Sequence, residues 1–200
     1  MNIKLLALDI GGVLAHINKS KLFFHCYKAG INIQDFFDED FLLLQRGLIP
    51  STQFIKNKSS KLSLEAKKFE SIFCSMVQAL PISYHLNQLK VPWVFFSNIN
   101  ELHYYHFVKK LKLSPFTKNN SILSFKEKQL KPHKQFFERL SYISSINREH
   151  ILLIDDKETN VTTAIKYGFQ ALLFEDDTSL LSFFNKKSNS FSCAFGSINE

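Results

Sequence analysis

The chain has 200 residues, of which 45% are hydrophobic and 22% are charged, and 21 of them are Phe. This composition excludes a disordered, collagen-like or low-complexity protein, and the length predicts one domain or one domain with a small insert. The 25 Lys and Arg against 18 Asp and Glu give a net charge of +7, which favours anionic partners without identifying one. No basic run interleaved with aromatic residues indicates a nucleic-acid partner.

Four short and nearly continuous apolar runs predict the strands of a parallel sheet that is covered on both faces. These runs are Ile3–Leu8, Trp93–Phe96, Ile151–Ile154 and Ala171–Phe174, with a weaker fifth candidate at Ser121–Phe125. The stretches with a helical pattern alternate with them, at Glu101–Lys112, Lys134–Tyr142, Lys157–Tyr167 and Asp177–Phe184. Alternating strands and helices predict an α/β, three-layer, Rossmann-like fold.

The interval between the first two runs departs from this alternation. It has no strong strand pattern and contains helix-like blocks at Lys19–Lys28, Ile33–Arg46, Ser51–Asn57 and Ser63–Leu80. We therefore predict an all-helical insert, or cap, over residues 15–89. The α/β core is then expected to comprise residues 1–14 and 90–185, followed by a Ser- and Asn-rich tail at 186–200.

The cysteines and the first residues bear on the compartment. Cys26, Cys74 and Cys193 are far apart and include no CxxC pair, which fits free thiols in a reducing compartment. Asp9 interrupts the first apolar run too early for a signal peptide, and no run of about 18 apolar residues predicts a membrane span. A cytoplasmic protein is the default expectation, and export without a cleaved signal stays open.

Polar residues follow the apolar runs at the sheet edge where open parallel sheets bind ligands. The residues expected to meet there are Asp9, Ser97, Asn98, Lys131, Asp155 and Asp156. Clustered carboxylates repel one another unless a cation lies among them, and oxygen ligands select a hard ion such as Mg²⁺. A cation and a lysine together neutralise a phosphoryl group, so that Asp9 can attack phosphorus and form an aspartyl-phosphate.

These motifs, in this order, resemble those of the haloacid dehalogenase-like superfamily, and specifically its phosphatases. The resemblance extends from Ile3 to about Phe174 and is closest to bacterial phosphatases that have a small helical cap and act on a sugar 1-phosphate. It rests on Ser97-Asn98-x-Asn100-x-x-His103, on Gly47 followed by an Ile and a Ser/Thr pair, and on Asp155-Asp156-x-x-x-Asn160-Val161-x-x-Ala164.

The resemblance implies a metal site. Asp9 is the expected nucleophile and a ligand of Mg²⁺, together with the backbone carbonyl of Gly11 and the side chain of Asp155. Asp156 and Asn160 are expected to support this loop from behind the ligands.

The resemblance also implies a phosphate site and shows two departures. Lys131 is expected to pair with the nucleophile and the phosphate, which Ser97 and Asn98 also bind. Gly11 stands where these phosphatases usually carry a second Asp, their general acid and base, and Lys128 stands where a Gly often precedes the lysine.

The missing acid shapes the expected substrate. Without it the departing oxygen leaves largely unprotonated, which favours phenols, whose pKa is roughly 10, over ordinary alcohols. His16, at the entrance to the cap, is a candidate replacement. The sequence thus predicts a Mg²⁺-dependent phosphomonoester hydrolase whose substrate is an aryl phosphate such as phosphotyrosine in a protein.

Three alternatives stay open. A sugar 1-phosphate is the second substrate class, because a covering cap favours a small molecule. A dehalogenase of the same superfamily also lacks Asp at the position of Gly11, and a catalytically weak phosphate- or partner-binding protein is the third possibility.

The aromatic residues of the predicted cap are expected in its core. They are Phe23-Phe24 and Phe36-Phe37, and the other interpretation is that they form an aromatic wall that faces the substrate.

Overall fold

The computed structural model describes residues 2–89, 91–111, 113 and 120–176. The strands of this part of the chain are β1 (Leu5–Leu8), β2 (Ala15–Ile17), β3 (Val77–Ala79), β4 (Trp93–Ser97), β5 (Ile122–Leu123), β6 (Ile151–Asp155) and β7 (Gln170–Leu173). The α-helices are α1 (Ser20–Lys28), α2 (Ile33–Phe36), α3 (Glu39–Gln45), α4 (Ser51–Lys61), α5 (Ala66–Cys74), α6 (Glu101–Leu111), α7 (Ser124–Glu127), α8 (Lys134–Ser144) and α9 (Glu158–Lys166).

Five of the described strands form one parallel sheet in the order β5-β4-β1-β6-β7. The central strand β1 is buried along its whole length, and its Ala7 pairs with Val94 on one side and Leu153 on the other. Separate apolar clusters cover the two faces of the sheet. The predicted three-layer α/β fold is therefore confirmed, and the continuous apolar runs reflect strands buried on both faces.

A third apolar cluster fills the insert between β1 and β4. Phe36, Phe54, Phe69 and Phe73 are completely buried in it and belong to α2, α4 and α5. The insert also contains an antiparallel ribbon of β2 and β3, in which His16 pairs with Gln78. The expectation of an all-helical insert was therefore wrong, since strands of three residues are too short to show a pattern. The division of the chain at residues 15 and 89 stays a prediction.

The helix α1 shows where a hydrophobic pattern misleads. Leu22 and Cys26 lie one turn apart and are almost fully buried, whereas Phe23 and Phe24 are 53% and 51% exposed. The expectation that Phe23 and Phe24 lie in the core is therefore wrong. Because successive helical residues are turned by about 100°, one face of α1 reaches the cap core and the aromatic pair faces outward.

Hydrogen bonds join the cap to the core at a contact that we call the 45–47 seam. Ser124 Oγ donates to the Gln45 carbonyl at 2.7 Å, and Lys128 Nζ donates to the Gly47 carbonyl at 2.5 Å. The Arg46 side chain returns a bond to the Lys128 carbonyl at 3.2 Å. Lys128 has a φ of 59°, a conformation that favours Gly, and its ammonium group serves the seam instead.

Some expectations concern residues outside the described part. The predicted helix Asp177–Phe184, the tail at 186–200 and Cys193 all lie there. Cys26 and Cys74 are free and buried. In the described residues, no helix has both the length and the apolar character that a membrane span requires.

Candidate active site

The candidate site lies at the carboxyl ends of the three middle strands of the sheet. Asp9 follows β1, Ser97 ends β4 and Asp155 ends β6, so the strand order places Asp9 between the other two. A cavity of ≈ 820 Å³ opens above this edge, between the sheet and the cap. Of the predicted site residues, its lining includes Asp9, Gly11, Asn98, Lys131, Asp156 and Asn160. Ser97 and Asp155 are completely buried beside it.

The side chain of Lys131 bridges two carboxylates in the floor of the site. Its Nζ donates to Asp155 Oδ2 at 2.5 Å and to the Phe96 carbonyl at 2.7 Å, and it lies 3.2 Å from Asp9 Oδ2. The Lys131 side chain has no exposed surface. A buried ammonium group needs such acceptors, and here they hold it directly beside the predicted nucleophile.

Asn98 holds the backbone of Lys131 through a reciprocal pair of hydrogen bonds. The Lys131 N–H donates to Asn98 Oδ1 at 2.7 Å, and Asn98 Nδ2 donates to the Lys131 carbonyl at 3.0 Å. The amide of Asn98 thus links the end of β4 to the lysine. Its predicted contact with phosphate stays a prediction.

Asp155 is fixed by three donors. Its Oδ1 accepts from the Lys157 N–H at 3.0 Å and from Asn160 Nδ2 at 2.8 Å, while its Oδ2 accepts from Lys131. Asn160 is itself 2% exposed and stands on the first turn of α9. The sequence placed Asn160 behind this loop, and the structure gives it a direct bond to the carboxylate.

Asp9, Asp155 and Asp156 form a cluster in which one oxygen of each lies within 4.8 Å of the others. The donors are all carboxylate oxygens, which suits a hard divalent cation. Gly12 brings the backbone against this cluster: it has a φ of 84°, and a Cβ there would overlap the Asp156 carboxyl group. Asp156 thus belongs to the candidate cation cluster, while its expected supporting role and a ligand role for the Gly11 carbonyl stay predictions.

The electrostatics of the cluster follow from burial and from like charges. Burial raises the pKa of Asp9 to about 6, with the Lys131 ammonium opposing and the Asp155 carboxylate adding to the rise. A hydrogen bond from Ser97 lowers the same pKa. Burial and Asp155 also raise the pKa of Asp156. Both pKa values rise chiefly because burial disfavours the charged carboxylate, and the Asp155 carboxylate adds to each rise.

The cap supplies an aromatic wall opposite the carboxylates. The rings of Phe37 and Phe41 lie 4.8 Å apart in an edge-to-face arrangement, and both line the cavity. Lys19 Nζ lies 4.8 Å over the Phe37 ring. Sequence reasoning held Phe37 as a possible wall residue but missed Phe41 and Lys19. Phe37 lies between α2 and α3 and Phe41 lies on α3, so their four-residue spacing is not that of one helical face and gave no signal for the wall.

Two histidines lie near the cavity and differ in their exposure to solvent. His16 is exposed on β2 and lines the mouth. His103 is buried, with Nε2 2.9 Å from the Phe73 carbonyl and Nδ1 3.0 Å from Asn100 Nδ2. Burial lowers the pKa of His103 to about 4, so it stays neutral and joins α5 to α6 in what we call the His103 seam. Of the two, His16 is the one whose side chain is exposed at the cavity.

Solved structures share this fold. A HAD family enzyme from Bacteroides thetaiotaomicron, solved in complex with magnesium and inorganic phosphate, aligns with 89% of this chain and 98% of its own, at a TM-score of 0.75 and 24% identity. The chain has the haloacid dehalogenase-like (HAD) fold. A predicted HAD-like family hydrolase from Porphyromonas gingivalis aligns with 94% of this chain and 98% of its own, at a TM-score of 0.73 and 19% identity.

The HAD fold also includes enzymes of different chemistry. The L-2-haloacid dehalogenase from Xanthobacter autotrophicus aligns with 90% of this chain and 81% of its own, at a TM-score of 0.59 and 12% identity. No protein-family model matches the chain, and no curated protein matches it significantly. Similarities at this level establish the HAD fold, so the chemistry has to be argued from the site.

Proposed function

We propose that the protein is a Mg²⁺-dependent phosphomonoester hydrolase in which Asp9 is the nucleophile. The observation that carries this proposal is the position of the buried Asp9 carboxylate, 3.2 Å from Lys131 Nζ and among the oxygens of Asp155 and Asp156. The site supplies both an anionic nucleophile and the positive charge that a phosphoryl group requires. The Bacteroides enzyme of the same fold, solved with magnesium and inorganic phosphate, supports this reading.

The reaction needs two displacements at phosphorus. In the first, an Asp9 carboxylate oxygen attacks phosphorus, the bond to the leaving oxygen breaks, and that oxygen departs with the electron pair. In the second, water attacks the phosphorus of the aspartyl-phosphate, which releases inorganic phosphate and restores Asp9. Lys131, held by Asp155 and Phe96, keeps a fixed positive charge beside the attacking oxygen. Mg²⁺, when held by the carboxylate cluster, would neutralise charge on the phosphoryl oxygens.

The substrate class follows from what the site lacks. Gly11 offers no proton to the leaving oxygen, so substrates with acidic leaving groups gain most. The Phe37 and Phe41 rings form an aromatic wall of the cavity, with their own rings edge to face. This wall favours a substrate with an aromatic leaving group, because an aromatic ring packed against another gains energy beyond the burial of its apolar surface. An aryl phosphate such as phosphotyrosine in a protein is therefore ranked ahead of a sugar 1-phosphate.

Dehalogenation is the second candidate, favoured by Gly11 and by the shared fold of the Xanthobacter enzyme. Attack on carbon needs no divalent cation, and the carboxylate cluster would then have no purpose. Activity that survives EDTA would support the dehalogenase, whereas the proposed hydrolase loses its rate in EDTA and regains it with added Mg²⁺.

The test is a panel of aryl, alkyl and sugar 1-phosphates and a phosphotyrosyl peptide, assayed for phosphate release with Mg²⁺. We expect turnover on the aryl substrates that disappears in Asp9→Asn and persists in Asp35→Asn, which alters an exposed carboxylate of α2. Turnover no higher than that of Asp9→Asn across the whole panel would refute the hydrolase and favour a phosphate- or partner-binding protein.

A further inference from the structure

The outer face of α1 carries a stripe of exposed residues at intervals of four. Phe23 and Tyr27 are 53% and 75% exposed, and Lys19, also exposed, precedes them by one turn. The Phe23 N–H donates to the Lys19 carbonyl at 2.8 Å, so the helical turn extends back to Lys19. Residues four apart lie above one another on a helix, so these three side chains form one row, which we call the α1 stripe.

The α1 stripe begins at the mouth of the active-site cavity. Lys19 lines that cavity, and its ammonium group lies over the Phe37 ring of the aromatic wall. The other exposed lining residues, which mark the same opening, are His16, Gln34, Asp156 and Lys157. From Lys19 to Tyr27 the stripe runs about 12 Å, which is the length of about four residues of extended peptide.

The helix that carries the stripe is basic. The helix α1 contains Lys21, His25 and Lys28 and no acidic residue. Lys28 Nζ lies 4.5 Å over the ring of Phe24. Lys21, His25 and Lys28 lie about 140–160° around the helix axis from Phe23, so Lys19 is the cation of the stripe itself. Exposed aromatic side chains beside Lys19, on a helix without acidic residues, suit a partner that brings apolar groups and negative charge together.

We propose that the α1 stripe docks the polypeptide on one side of a phosphotyrosine residue, with acidic residues among its flank, while the phosphorylated ring enters the cavity. This inference rests on the proposed phosphatase function and specifies its substrate as a polypeptide. The phosphotyrosine reaches Asp9 past Lys19 and Phe37, and the next residues of the peptide lie against Phe23 and Tyr27. A small aryl phosphate fits within the cavity and does not touch Phe23 or Tyr27, which lie outside its lining.

The experiment compares two substrates on one pair of variants. The double variant Phe23→Ala, Tyr27→Ala should hydrolyse phenyl phosphate at the wild-type rate and lose about tenfold in kcat/KM on a phosphotyrosyl peptide flanked by Glu and Asp, through KM. Tyr142→Ala is the matched control, because Tyr142 is 78% exposed on α8 of the core and should leave both substrates unchanged. A peptide flanked by Lys should respond little to either variant.

A binding measurement makes the inference testable apart from turnover. Fluorescence anisotropy of the same acidic peptide on Asp9→Asn protein should show weaker binding when Phe23 and Tyr27 are also replaced. Equal peptide affinity with and without the stripe would overturn the inference while leaving the phosphatase intact. Loss of binding to phosphatidylserine vesicles with unchanged peptide affinity would also overturn it, because the stripe would then be a membrane contact. Absence of phosphate release from every substrate by the wild type refutes the proposed function instead.

Discussion

The Nζ atom of Lys131 contacts three oxygen atoms, those of Asp155, the Phe96 carbonyl and Asp9, and the side chain is fully buried. We expect Lys131→Ala to lower kcat by about 10²–10³-fold, the usual cost of removing one fixed donor from a developing charge. Lys131→Arg should not restore the rate, since a planar guanidinium group cannot replace a compact ammonium ion in that space.

Steady-state kinetics on an aryl phosphate tests this prediction. Lys134→Ala is the control, because its ammonium group is largely exposed and pairs with Glu138 on the surface of α8. A fully active Lys131→Ala protein would remove Lys131 from the chemistry.

Gly11 offers a second test at the residue scale. A Cβ at this position would meet only the Ile17 side chain, at 3.7 Å, and its φ lies outside the positive region, so Gly11→Asp fits without strain. If the new carboxyl group protonates the leaving oxygen, the steep dependence of rate on leaving-group pKa across substituted phenyl phosphates should flatten.

The neighbouring glycine provides the contrast. Gly12→Ala should lose activity on every substrate, because its Cβ would displace Asp156 and its φ of 84° disfavours a side chain.

The wild-type rates also test the interpretation of Gly11. If they do not depend on the leaving-group pKa, the interpretation that an acid is missing is contradicted, and His16 becomes the candidate acid.

At the scale of elements, the His103 seam predicts a sensitivity to acid. The unfolded chain protonates this histidine near pH 6.5, but the folded protein only near 4, so the stability from the neutral ring is complete above pH 6.5 and is lost as the pH falls towards 4. Protonation places a second N–H against Asn100 Nδ2, which is itself a donor. The loss should be on the order of 2 kcal/mol between pH 7 and 4.5.

Urea unfolding across this pH range measures the effect. His103→Gln should be less stable than the wild type at pH 7, and the difference should shrink as the pH falls. A difference independent of pH would show that the seam does not depend on the charge of the ring.

Elements with a strong local signal were predictable from the sequence, and those defined by distant partners were not. The runs behind β1, β4 and β6 were located to within two residues because both faces of each strand are buried. The block Ile33–Arg46 instead contains two helices separated at Phe37 and Asp38, where Asp38 pairs with the buried Lys58 of α4. Because that ion pair joins residues twenty positions apart, no periodic pattern in the sequence marks the break between the two helices.

The candidate site divides in the same way. Asp9, Ser97 and Asp155 could be predicted to meet, because strand ends in a parallel sheet converge on one edge, whereas Lys131 reaches them from the loop before α8. The cap wall could not, since the positions of Phe41 and Lys19 above the carboxylates depend on how the insert packs on the core.

At the scale of the whole molecule, the active site destabilises the fold that contains it. The raised pKa of Asp9 means that its contribution to stability is complete below pH 3.8 and is lost as the pH rises through about 6. In metal-free buffer at pH 7, we expect Asp9→Asn to raise the free energy of unfolding by on the order of 1 kcal/mol, or about 2–4 °C in Tm.

Calorimetry in EDTA at pH 4 and pH 7 checks the sign. The gain should vanish at the lower pH, where Asp9 is largely protonated in the folded wild type. A variant that is less stable at pH 7 would show that the attraction between Lys131 and Asp9 outweighs the cost of burying the charge.

The 45–47 seam and the His103 seam join the cap to the core at adjoining places, because Ser124 of the first also bonds the backbone of Ile99, four residues before His103. Any movement that separates the cap from the core has to break these hydrogen bonds, or pivot about them. The exposed side chains of Lys19 and Lys157 also line the cavity, so they mark where it meets solvent. For the proposed hydrolase, a large substrate would therefore need to place only its phosphorylated residue inside the cavity, while the rest of that substrate stays in solvent.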